Sequence, residues 1–422
     1  MTTLTPALSC GLADRWPDVA HIPDGPRAIV GRHISRAIFR RAVDRLPLRV
    51  LLPDGRQIGG TTDVSDPTLT VRDEGAMMRR IAASGLIGFG ESYLAGEWEA
   101  SDLAAVIAVF AEAVDRLVPG PLQSMRRVFL AAQPRTDRPT TEHSRHNVER
   151  HYDLSNDMFA TFLDSSMSYS SALFTNPDAA RWSDLHAAQR AKTERILDQA
   201  GVQSGTRVLE IGTGWGDLAV RAARRGATVH SVTLSQQQLE YARNRVVAEG
   251  LDDLVTLELT DYRDVRGTYD AIVSVEMIEA VGLPYLPTYF DRLSSSLAPG
   301  GRVVLQAITM PHRRALDTRH TYTWIHKYIF PGGALPSIRM LEEHAAAVGL
   351  LLDDDLSMGS SYAATLRLWA ERFNEREDRL AAVGFDEIFR RMWSFYLHYS
   401  EGGFRAGYLD VHQLSFSREG DS

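Results

Sequence analysis

One glycine-rich turn is the part of the chain best suited to hold a ligand. The apolar run Val208–Ile211 leads into Gly212, Gly214 and Gly216, and a helical pattern begins directly afterwards. Glycines at such a turn allow positive φ and let a ligand lie against bare backbone, while the following helix N-terminus adds N–H donors. The spacing therefore predicts a site for a nucleotide-like ligand.

A single position in this turn indicates which ligand binds. A dinucleotide fingerprint carries glycine or alanine three residues after its second glycine, where the pyrophosphate lies close to the helix. Asp217 stands at that position. The pattern is instead typical of the turn that holds the amino-acid part of S-adenosylmethionine (SAM) in methyltransferases. Glu210, near the end of the preceding strand, belongs to the same predicted segment.

Further apolar runs predict the sheet that positions the turn. They cover residues 229–234, 255–259, 271–275 and 302–310, and they alternate with helical or turn-rich stretches. Such alternation is typical of a parallel sheet with ligands at the carboxyl ends of its strands. Ser235 is suited to cap a helix over residues 235–249. The predicted fold class is α/β, a Rossmann-like class I SAM-dependent methyltransferase with a mostly parallel sheet and a smaller N-terminal domain.

Several blocks of sequence resemble the cyclopropane fatty acid synthases and their mycolic-acid relatives. They read HYDLSND from His151, MSYSSA from Met167, VTLS from Val232 and MIEAVG from Met277. The blocks GFGESY, from residue 88, and GEW, from residue 96, look like the N-terminal part of the bacterial phospholipid-modifying branch. The resemblance implies a SAM-dependent C-methyltransferase that acts on the cis double bond of an unsaturated phospholipid acyl chain.

The strand ends and the resemblance together give a set of cofactor-binding residues. The glycines are expected under the methionine part, with Tyr169 and Ser170 closing over its carboxylate. Asp261 is suited to hydrogen-bond the adenine amino group, beside Tyr262. The predicted set is Tyr169, Ser170, Glu210, Gly212, Gly214, Gly216, Thr233, Leu234, Gln238, Asp261 and Tyr262.

The resemblance also implies a second cofactor and a catalytic set. Members of the family hold a bicarbonate ion near the methyl group, and the matching positions are Ser171, Glu279, Gln306, Ile308 and Tyr362. Ser171 stands where cysteine is usual, and Gln306 where many members have histidine. Both can donate hydrogen bonds to an anion. Glu279 is predicted to accept a hydrogen bond from bicarbonate or to act itself as the base.

The chemistry of an alkene acceptor explains which surroundings the site needs. The sulfonium methyl is already activated, so the protein must align the reactants, exclude water and stabilise developing charge. Transfer to an alkene leaves a carbocation, which aromatic faces stabilise within about 6 Å. The aromatic candidates are Tyr169, Phe174, Tyr328, Tyr362, Trp369, Phe395 and Tyr399.

Two products share this substrate and first step. Loss of a proton from the new methyl group closes a cyclopropane, whereas a hydride shift followed by proton loss gives a methylene branch. The block from Tyr169 to Phe174 resembles actinobacterial fatty acid methyltransferases that make 10-methylene chains. We expect the methylene product, with cyclopropane as the alternative, and a methylene product implies a reductase partner.

Length and composition predict two domains. The 422-residue chain exceeds the usual size of one core. We predict an N-terminal lipid- or membrane-docking domain over 1–130, with an apolar helix from Leu103 to Leu117, a linker over 131–147, and a catalytic domain over 148–422. The chain has no run of about 20 apolar residues and no signal-peptide pattern, so we expect a cytoplasmic protein. The single cysteine, Cys10, excludes an internal disulfide.

Charge patterning bears on the partners. The net charge of −8 argues against nucleic acid. Arginines at 126, 127, 135, 138, 145 and 150, and a basic segment over 312–327, predict contact with anionic headgroups at the inner face of the cytoplasmic membrane. A solvated linker is the alternative for the first cluster. Histidines interleaved with arginine and lysine argue against a metal, and no metal site is predicted. The resemblance implies that the N-terminal domain assists membrane docking and dimerisation.

Two other classes of protein stay open at this point. One is a small-molecule or polyketide methyltransferase, which the long N-terminal domain and the few obvious bases disfavour. The other is a noncatalytic protein that binds SAM or lipid, in which Ser171 and Gln306 mark lost activity; Glu279 and Tyr362 argue against it.

Overall fold

The computed structural model describes residues 14–117, 156–418 and 420. Their contacts divide them into two compact units. The first contains 14–117, 321–329 and 377–406, and the second contains 156–320, 330–376 and 407–418. The sequence prediction assigned 321–329 and 377–406 to the catalytic domain, whereas the contacts assign both to the first unit. The predicted linker over 131–147, Cys10 and the six arginines between 126 and 150 lie outside the described residues.

The first unit combines a small sheet with helices. Its four strands lie in the order β2-β1-β3-β4, with β1 parallel to β3 and the other pairs antiparallel. The strands are β1 Arg49–Leu51, β2 Gln57–Ile58, β3 Thr68–Val71 and β4 Trp98–Ala100. The helices are Pro17–Ala20, Pro26–Val43, Glu74–Ser84, Leu86–Leu94, Leu103–Leu117, Trp324–Tyr328, Glu377–Ala382 and Glu387–Arg405. The helix predicted from Leu103 to Leu117 is confirmed.

Close helix packing explains why the late segments belong to this unit. A Cβ on Gly402 would lie 2.7 Å from the carbonyl oxygen of Ala104 and 2.8 Å from Cβ of Ile107. A Cβ on Gly90 would lie 2.5 Å from the ring of Trp324, which is buried. Because Gly90 and Gly402 have no side chain, the neighbouring elements can pack directly against their backbone. The GFGESY block owes its glycines at least partly to packing.

The second unit contains a seven-stranded sheet with the order β10-β11-β9-β8-β5-β6-β7. The strands from β9 to β7 in this order are mutually parallel, while β11 is antiparallel to β9 and β10. They are β5 Arg207–Ile211, β6 Thr228–Thr233, β7 Val255–Leu259, β8 Tyr269–Val275, β9 Leu297–Thr309, β10 Leu350–Ser357 and β11 Asp410–Arg418. The predicted mostly parallel α/β fold is confirmed.

Helices cover both faces of this sheet. Along β5 the side chains of Val208 and Leu209 enter two different hydrophobic clusters, since successive strand residues point to opposite faces. The α-helices are Asn156–Phe162, Trp182–Gln199, Asp217–Arg224, Gln236–Ala248, Ile278–Val281, Leu286–Ser296, His312–Thr318, Ile338–Ala346 and Gly359–Asn374. Short 3₁₀ helices occur at Pro177–Ala179, Tyr262–Asp264 and Leu283–Tyr285. Among the described helices, none has the length and apolarity that crossing a bilayer requires.

The strand order creates a switch point between β5 and β8. The chain runs outward from β5 through β6 and β7, then returns to β8 on the other side of β5. Ligands of open α/β sheets bind at the carboxyl ends of the strands at such a point. The glycine turn follows β5 directly, and Glu276 follows β8 directly. The fold therefore brings these two segments to one crevice.

Candidate active site

The glycine turn has the backbone geometry that the sequence predicts. Gly212, Gly214 and Gly216 have φ of 99°, 52° and 83°, and Gly216 caps the helix Asp217–Arg224. A Cβ on Gly214 would meet no atom within 4 Å, so the turn is open at this residue. At Gly212 a Cβ would lie 3.4 Å from Cγ of Met277, the residue after Glu276. An open turn at a helix N-terminus fits the amino-acid part of SAM.

A buried carboxyl lies just before this turn. Glu210 Oε2 accepts a hydrogen bond from Ser231 Oγ at 2.5 Å, and Ser231 Oγ lies 2.7 Å from Thr213 Oγ1. Burial raises the pKa of Glu210 to about 8, although the Ser231 hydrogen bond opposes the rise. The carboxyl is therefore mostly protonated at neutral pH until a cation lies beside it. The ammonium group of SAM is a cation of suitable size.

Two side chains, Gln189 and Lys192, hydrogen-bond to the loop that carries Tyr169 and Ser170. Lys192 Nζ donates to Ser170 Oγ at 2.7 Å, and Gln189 Nε2 donates to the Ser170 carbonyl oxygen at 2.9 Å. Burial lowers the pKa of Lys192. The ring of Tyr169 stacks on Trp369, with centroids 5.4 Å apart. Lys192 was missed from the sequence, because a lysine in a helix normally lies in solvent.

Thr233, Leu234 and Gln238, three of the predicted cofactor-binding residues, lie together at the carboxyl end of β6. Thr233 Oγ1 accepts from the Ser235 backbone N–H at 3.1 Å, and it lies 3.4 Å from Gln238 Oε1. Ser235 Oγ accepts from the Gln238 backbone N–H at 3.3 Å, which confirms the predicted helix cap. Leu234 joins the strand to the helix and is partly buried. Two hydroxyls and one amide therefore line this strand end.

Asp261 is already engaged by its neighbour. Arg263 donates to Asp261 Oδ1 through its backbone N–H at 3.0 Å and through Nε at 2.8 Å, and to Oδ2 through Nη2 at 2.5 Å. Burial raises the pKa of Asp261, but the hydrogen bonds from Arg263 outweigh it and the net pKa is lowered. Tyr262 lies edge-on to Tyr289 at 5.2 Å, and burial raises its pKa to about 12. The predicted bond from the adenine amino group would share the Asp261 carboxylate with Arg263.

Three residues of the predicted catalytic set converge on Glu276, which is not a member of that set. Glu276 Oε1 accepts from the Ser171 backbone N–H and from Gln306 Nε2, both at 2.8 Å, and Oε2 accepts from the Tyr362 hydroxyl at 2.6 Å. Gln413 Nε2 donates to Gln306 Oε1 at 3.0 Å. This bond orients the amide so that Nε2 is the atom facing Glu276.

The other two members of the predicted catalytic set, Glu279 and Ile308, hydrogen-bond to each other. Glu279 Oε1 accepts from the Ile308 backbone N–H at 2.5 Å, while Oε2 is buried and receives no hydrogen bond from the described residues. Burial, with a smaller contribution from the Glu276 charge, raises the pKa of Glu279 to about 8. Burial also raises the pKa of Glu276, but three donors and the nearby Lys192 oppose the rise. Glu276 therefore has more neighbours that favour its ionised form than Glu279 has.

The aromatic candidates divide between the two units. Tyr328, Phe395 and Tyr399 lie in the first unit, where their centroids are 5.2, 4.7 and 6.4 Å from that of Trp324. In the second unit, Tyr169 contacts Trp369, Phe159 and Phe162, and Trp369 lies edge-on to Tyr362 at 6.3 Å. The second unit thus supplies an aromatic cluster next to the Glu276 carboxylate.

The basic segment over 312–327 is also divided. Arg314 lies over the Tyr408 ring at 4.3 Å, and His312 Nδ1 lies 2.8 Å from Ser337 Oγ, all within the second unit. Lys327 belongs to the first unit and bonds Glu91 at 2.5 Å and Asp18 at 2.8 Å. Its charge is balanced by these acids, so it is not available as an isolated headgroup ligand. No group of His, Cys, Asp and Glu residues in the described ranges is arranged to hold a metal ion.

The chain matches the family model described as mycolic acid cyclopropane synthetase over residues 139–414. It belongs to this family. It is 51% identical to the tuberculostearic acid methyltransferase UfaA1 of Mycobacterium tuberculosis, over 99% of each chain. It is 35% identical to the cyclopropane-fatty-acyl-phospholipid synthase of Escherichia coli strain K12, over 81% of this chain and 85% of that protein.

Solved structures of family members agree with the fold. The mycolic acid cyclopropane synthase CmaA1, complexed with S-adenosylhomocysteine (SAH) and CTAB, aligns with a TM-score of 0.59 and 30% identity, over 67% of this chain and 98% of that one. The cyclopropane synthase MmaA2 from Mycobacterium tuberculosis aligns with a TM-score of 0.58 and 32% identity, over 65% and 98%. The chain is a SAM-dependent methyltransferase of the cyclopropane fatty acid synthase family, and its open glycine turn fits that cofactor.

Proposed function

We propose that this enzyme transfers the methyl group of SAM to the cis double bond of an unsaturated acyl chain carried on a phospholipid, and that the product is a 10-methylene chain. The observation that carries the proposal is the identity of 51% to a tuberculostearic acid methyltransferase over 99% of both chains. A cyclopropane product is the second candidate, favoured by the 35% identity to a cyclopropane-fatty-acyl-phospholipid synthase.

The composition of the site supports an alkene as acceptor. A hydroxyl or amine acceptor needs a base beside it, whereas an alkene has no proton to lose before methyl transfer. Transfer to an alkene makes a carbocation, which requires aromatic faces and a carboxylate more than a hydrophilic pocket. Tyr169 stacks on Trp369, Trp369 lies edge-on to Tyr362, and the Tyr362 hydroxyl bonds Glu276, so aromatic rings and a carboxyl group are joined in one cluster.

The predicted bicarbonate fits this site poorly. The Tyr362 hydroxyl donates its only hydrogen to Glu276, and the Ser171 hydroxyl donates to the Ala172 carbonyl oxygen at 2.9 Å. Gln306 Nε2 donates to Glu276 at 2.8 Å and to the Ser171 carbonyl oxygen at 3.3 Å, which uses both of its hydrogens. Since the predicted side-chain donors are already engaged, the proposed reaction includes no bicarbonate step.

The first unit supports peripheral contact with an anionic membrane at the cytoplasmic side. The helix Pro26–Val43, here called the arginine-rich helix, contains five arginines and no acidic residue. Its exposed side carries Ile29, Val30 and Ile34, which are 46%, 67% and 60% exposed. Apolar side chains on a basic helix are typical of elements that lie in the headgroup region of a bilayer. A membrane-docking helix is consistent with the proposed substrate, because a phospholipid acyl chain is part of the membrane.

Two further partners are part of the proposal. Reduction of a methylene branch to a methyl branch needs a hydride, and SAM supplies only a methyl group. Conversion of the methylene product to a methyl branch therefore requires a separate reductase. A homodimer is proposed from the family resemblance alone.

Lipid analysis tests the function directly. The chain is expressed with methyl-labelled methionine in a host rich in oleoyl phospholipid, and the acyl chains are examined by mass spectrometry and NMR. We expect one added labelled carbon and vinylidene protons. Cyclopropane ring protons would support the second candidate. Unlabelled acyl chains, with SAM binding intact by calorimetry, would overturn both and favour a small-molecule acceptor.

A further inference from the structure

We propose that the carboxylate of Glu276 is the proton acceptor of this enzyme and takes the place of a soluble anion. The inference rests on the proposed function, because it assigns the base of that reaction. It is a distinct statement, since an alkene methyltransferase could equally use Glu279 or a bound ion.

The first argument is the completeness of the hydrogen bonding. The Glu276 carboxylate accepts from a backbone N–H, an amide N–H and a phenolic O–H, contributed by Ser171, Gln306 and Tyr362. Three donors that converge on two oxygens form a site for a negative charge. The sequence prediction placed a bicarbonate among these same residues. In the structure the chain itself places a carboxyl group among these donors.

The second argument is the backbone. Glu276 has φ of 49°, one of only two non-glycine residues in the described chain with positive φ. Such a conformation is unfavourable for a non-glycine residue, and it persists where the surroundings hold it. The backbone N–H of Glu276 donates to the Gln306 carbonyl oxygen at 2.7 Å, which holds the bend after β8. Strain of this kind concentrates at functional sites.

The third argument is position. Glu276 lies at the switch point, one residue before Met277, whose side chain faces Gly212 of the SAM turn. Ser171, which binds the carboxylate, is adjacent to Ser170 of the predicted SAM loop. Glu276 thus connects the two segments that are expected to surround the cofactor.

The fourth argument is charge. Tyr362 and Lys192 are the ionisable groups that favour the charged form of Glu276, and the charge of Glu276 in turn raises the pKa of Glu279. Burial raises the pKa of Glu276 as well, but three hydrogen-bond donors and Lys192 oppose the rise. Glu279 has a single donor, the Ile308 backbone N–H. Of the two carboxyl groups, Glu276 is therefore the one whose surroundings are built to stabilise a carboxylate.

The step balances with no further reagent. The alkene π pair forms the new C–C bond as the S–CH₃ bond of SAM breaks, which gives SAH and an acyl carbocation. After a 1,2-hydride shift, a C–H bond of the new methyl group breaks and its electron pair forms the exocyclic C=C bond. The proton passes to a carboxylate oxygen of Glu276, and the neutral acid later returns it to water. SAM and alkene thus give SAH, methylene product and one proton.

Removal of the carboxylate without backbone strain tests the inference. Glu276→Gly suits the positive φ and leaves three donors facing a gap. Purified wild type, Glu276→Gly and Glu276→Gln are assayed on oleoyl phospholipid vesicles in bicarbonate-depleted buffer, with and without added bicarbonate or acetate. SAM affinity is measured by calorimetry. The matched control is Glu258→Gln, since Glu258 is an exposed residue of strand β7.

We expect wild type to be indifferent to added anion. Both Glu276 variants should lose about 100-fold or more in turnover while binding SAM normally, and acetate or bicarbonate should restore Glu276→Gly about tenfold. Wild-type turnover that depends on bicarbonate, or Glu276 variants that work like Glu258→Gln, would overturn the inference while leaving the proposed function intact. An inactive wild type that binds SAM would overturn the proposed function, and the inference with it.

Discussion

The hydroxyl of Tyr362 donates to Glu276 Oε2 at 2.6 Å, and this bond favours the ionised form of the carboxyl group. A hydrogen bond to a charged group contributes roughly 1.5–3 kcal/mol, or about 1–2 pKa units. Tyr362→Phe should therefore raise the pKa of Glu276. If the ionised carboxylate accepts the proton, the acidic limb of the kcat profile should move upward by about one pH unit.

The pH dependence of the loss in turnover distinguishes this effect from a loss of folding. Turnover of Tyr362→Phe should fall most at the acidic end of the profile and approach that of the wild type at the alkaline end, with SAM affinity unchanged. Tyr269→Phe is the control, because Tyr269 lies at the opposite end of β8 and bonds His230 there. A uniform loss at every pH would argue that Tyr362 acts only on structure.

The glycine turn gives a second prediction. Gly214→Val places a branched side chain at φ of 52° and fills the open space where SAM is expected. We expect SAM affinity to fall by at least about tenfold, because backbone strain and blocked approach act together. Gly250→Val is the control, since Gly250 has φ of 65° and equally open surroundings in a surface turn. Equal SAM affinity in both variants would contradict the cofactor assignment.

Glu210 gives a prediction about stability and pH. Its folded pKa of about 8 exceeds the ordinary value of 4.5, so between these pH values the folded state binds more protons than the unfolded state. Wild-type stability should therefore fall as pH rises from about 5 to 8. Glu210→Gln removes this loss and should be more stable by roughly 2–4 kcal/mol at pH 7.5, with little difference at pH 5.

Urea unfolding at pH 5, 6 and 7.5 measures this difference. The same variant should bind SAM more weakly, because an amide gives no charge to the cofactor ammonium. Parallel stability curves for the two proteins would show that Glu210 ionises normally in the folded state.

The arginine-rich helix gives a fourth prediction. Val30→Asp combined with Ile34→Asp should weaken binding to phosphatidylglycerol vesicles by at least about tenfold, since each apolar side chain contributes up to roughly 1.5–3 kcal/mol on burial. Val64→Asp is the control, because Val64 is 79% exposed in the same unit but lies outside this helix. Cosedimentation measures the difference, and equal loss in both variants would contradict a dedicated docking helix.

Much of the catalytic sheet could be predicted from apolar periodicity. The predicted run 255–259 matches β7 residue for residue, and the runs for β6 and β8 differ from the observed strands by one or two residues. Strands β10 and β11 were not predicted. The β10 sequence LLLDDDLS contains three consecutive acids, and its partner relation to β11 is long-range. Local patterns do not encode a pairing of that kind.

Three residues of the predicted catalytic set lie together in the structure, but their common partner could not be predicted from spacing, and their roles stay a prediction. Ser171, Gln306 and Tyr362 do lie together, as the family resemblance implies. Their common partner, Glu276, is not a member of the predicted catalytic set. The available signal was an acid directly after a buried strand at the switch point. Its positive φ and its three donors are properties of the folded backbone, which residue spacing does not reveal.

The first unit draws its residues from three separate stretches of chain, the last of which ends at residue 406. During synthesis, the helix Leu103–Leu117 is made nearly 300 residues before Gly402 arrives to pack against Ala104 and Ile107. The apolar side chains of that helix therefore lack the helix Glu387–Arg405 as a packing partner while most of the methyltransferase sheet is translated. Folding of the N-terminal part is consequently completed late, and cutting the gene between the two predicted domains would separate this helix from its partner.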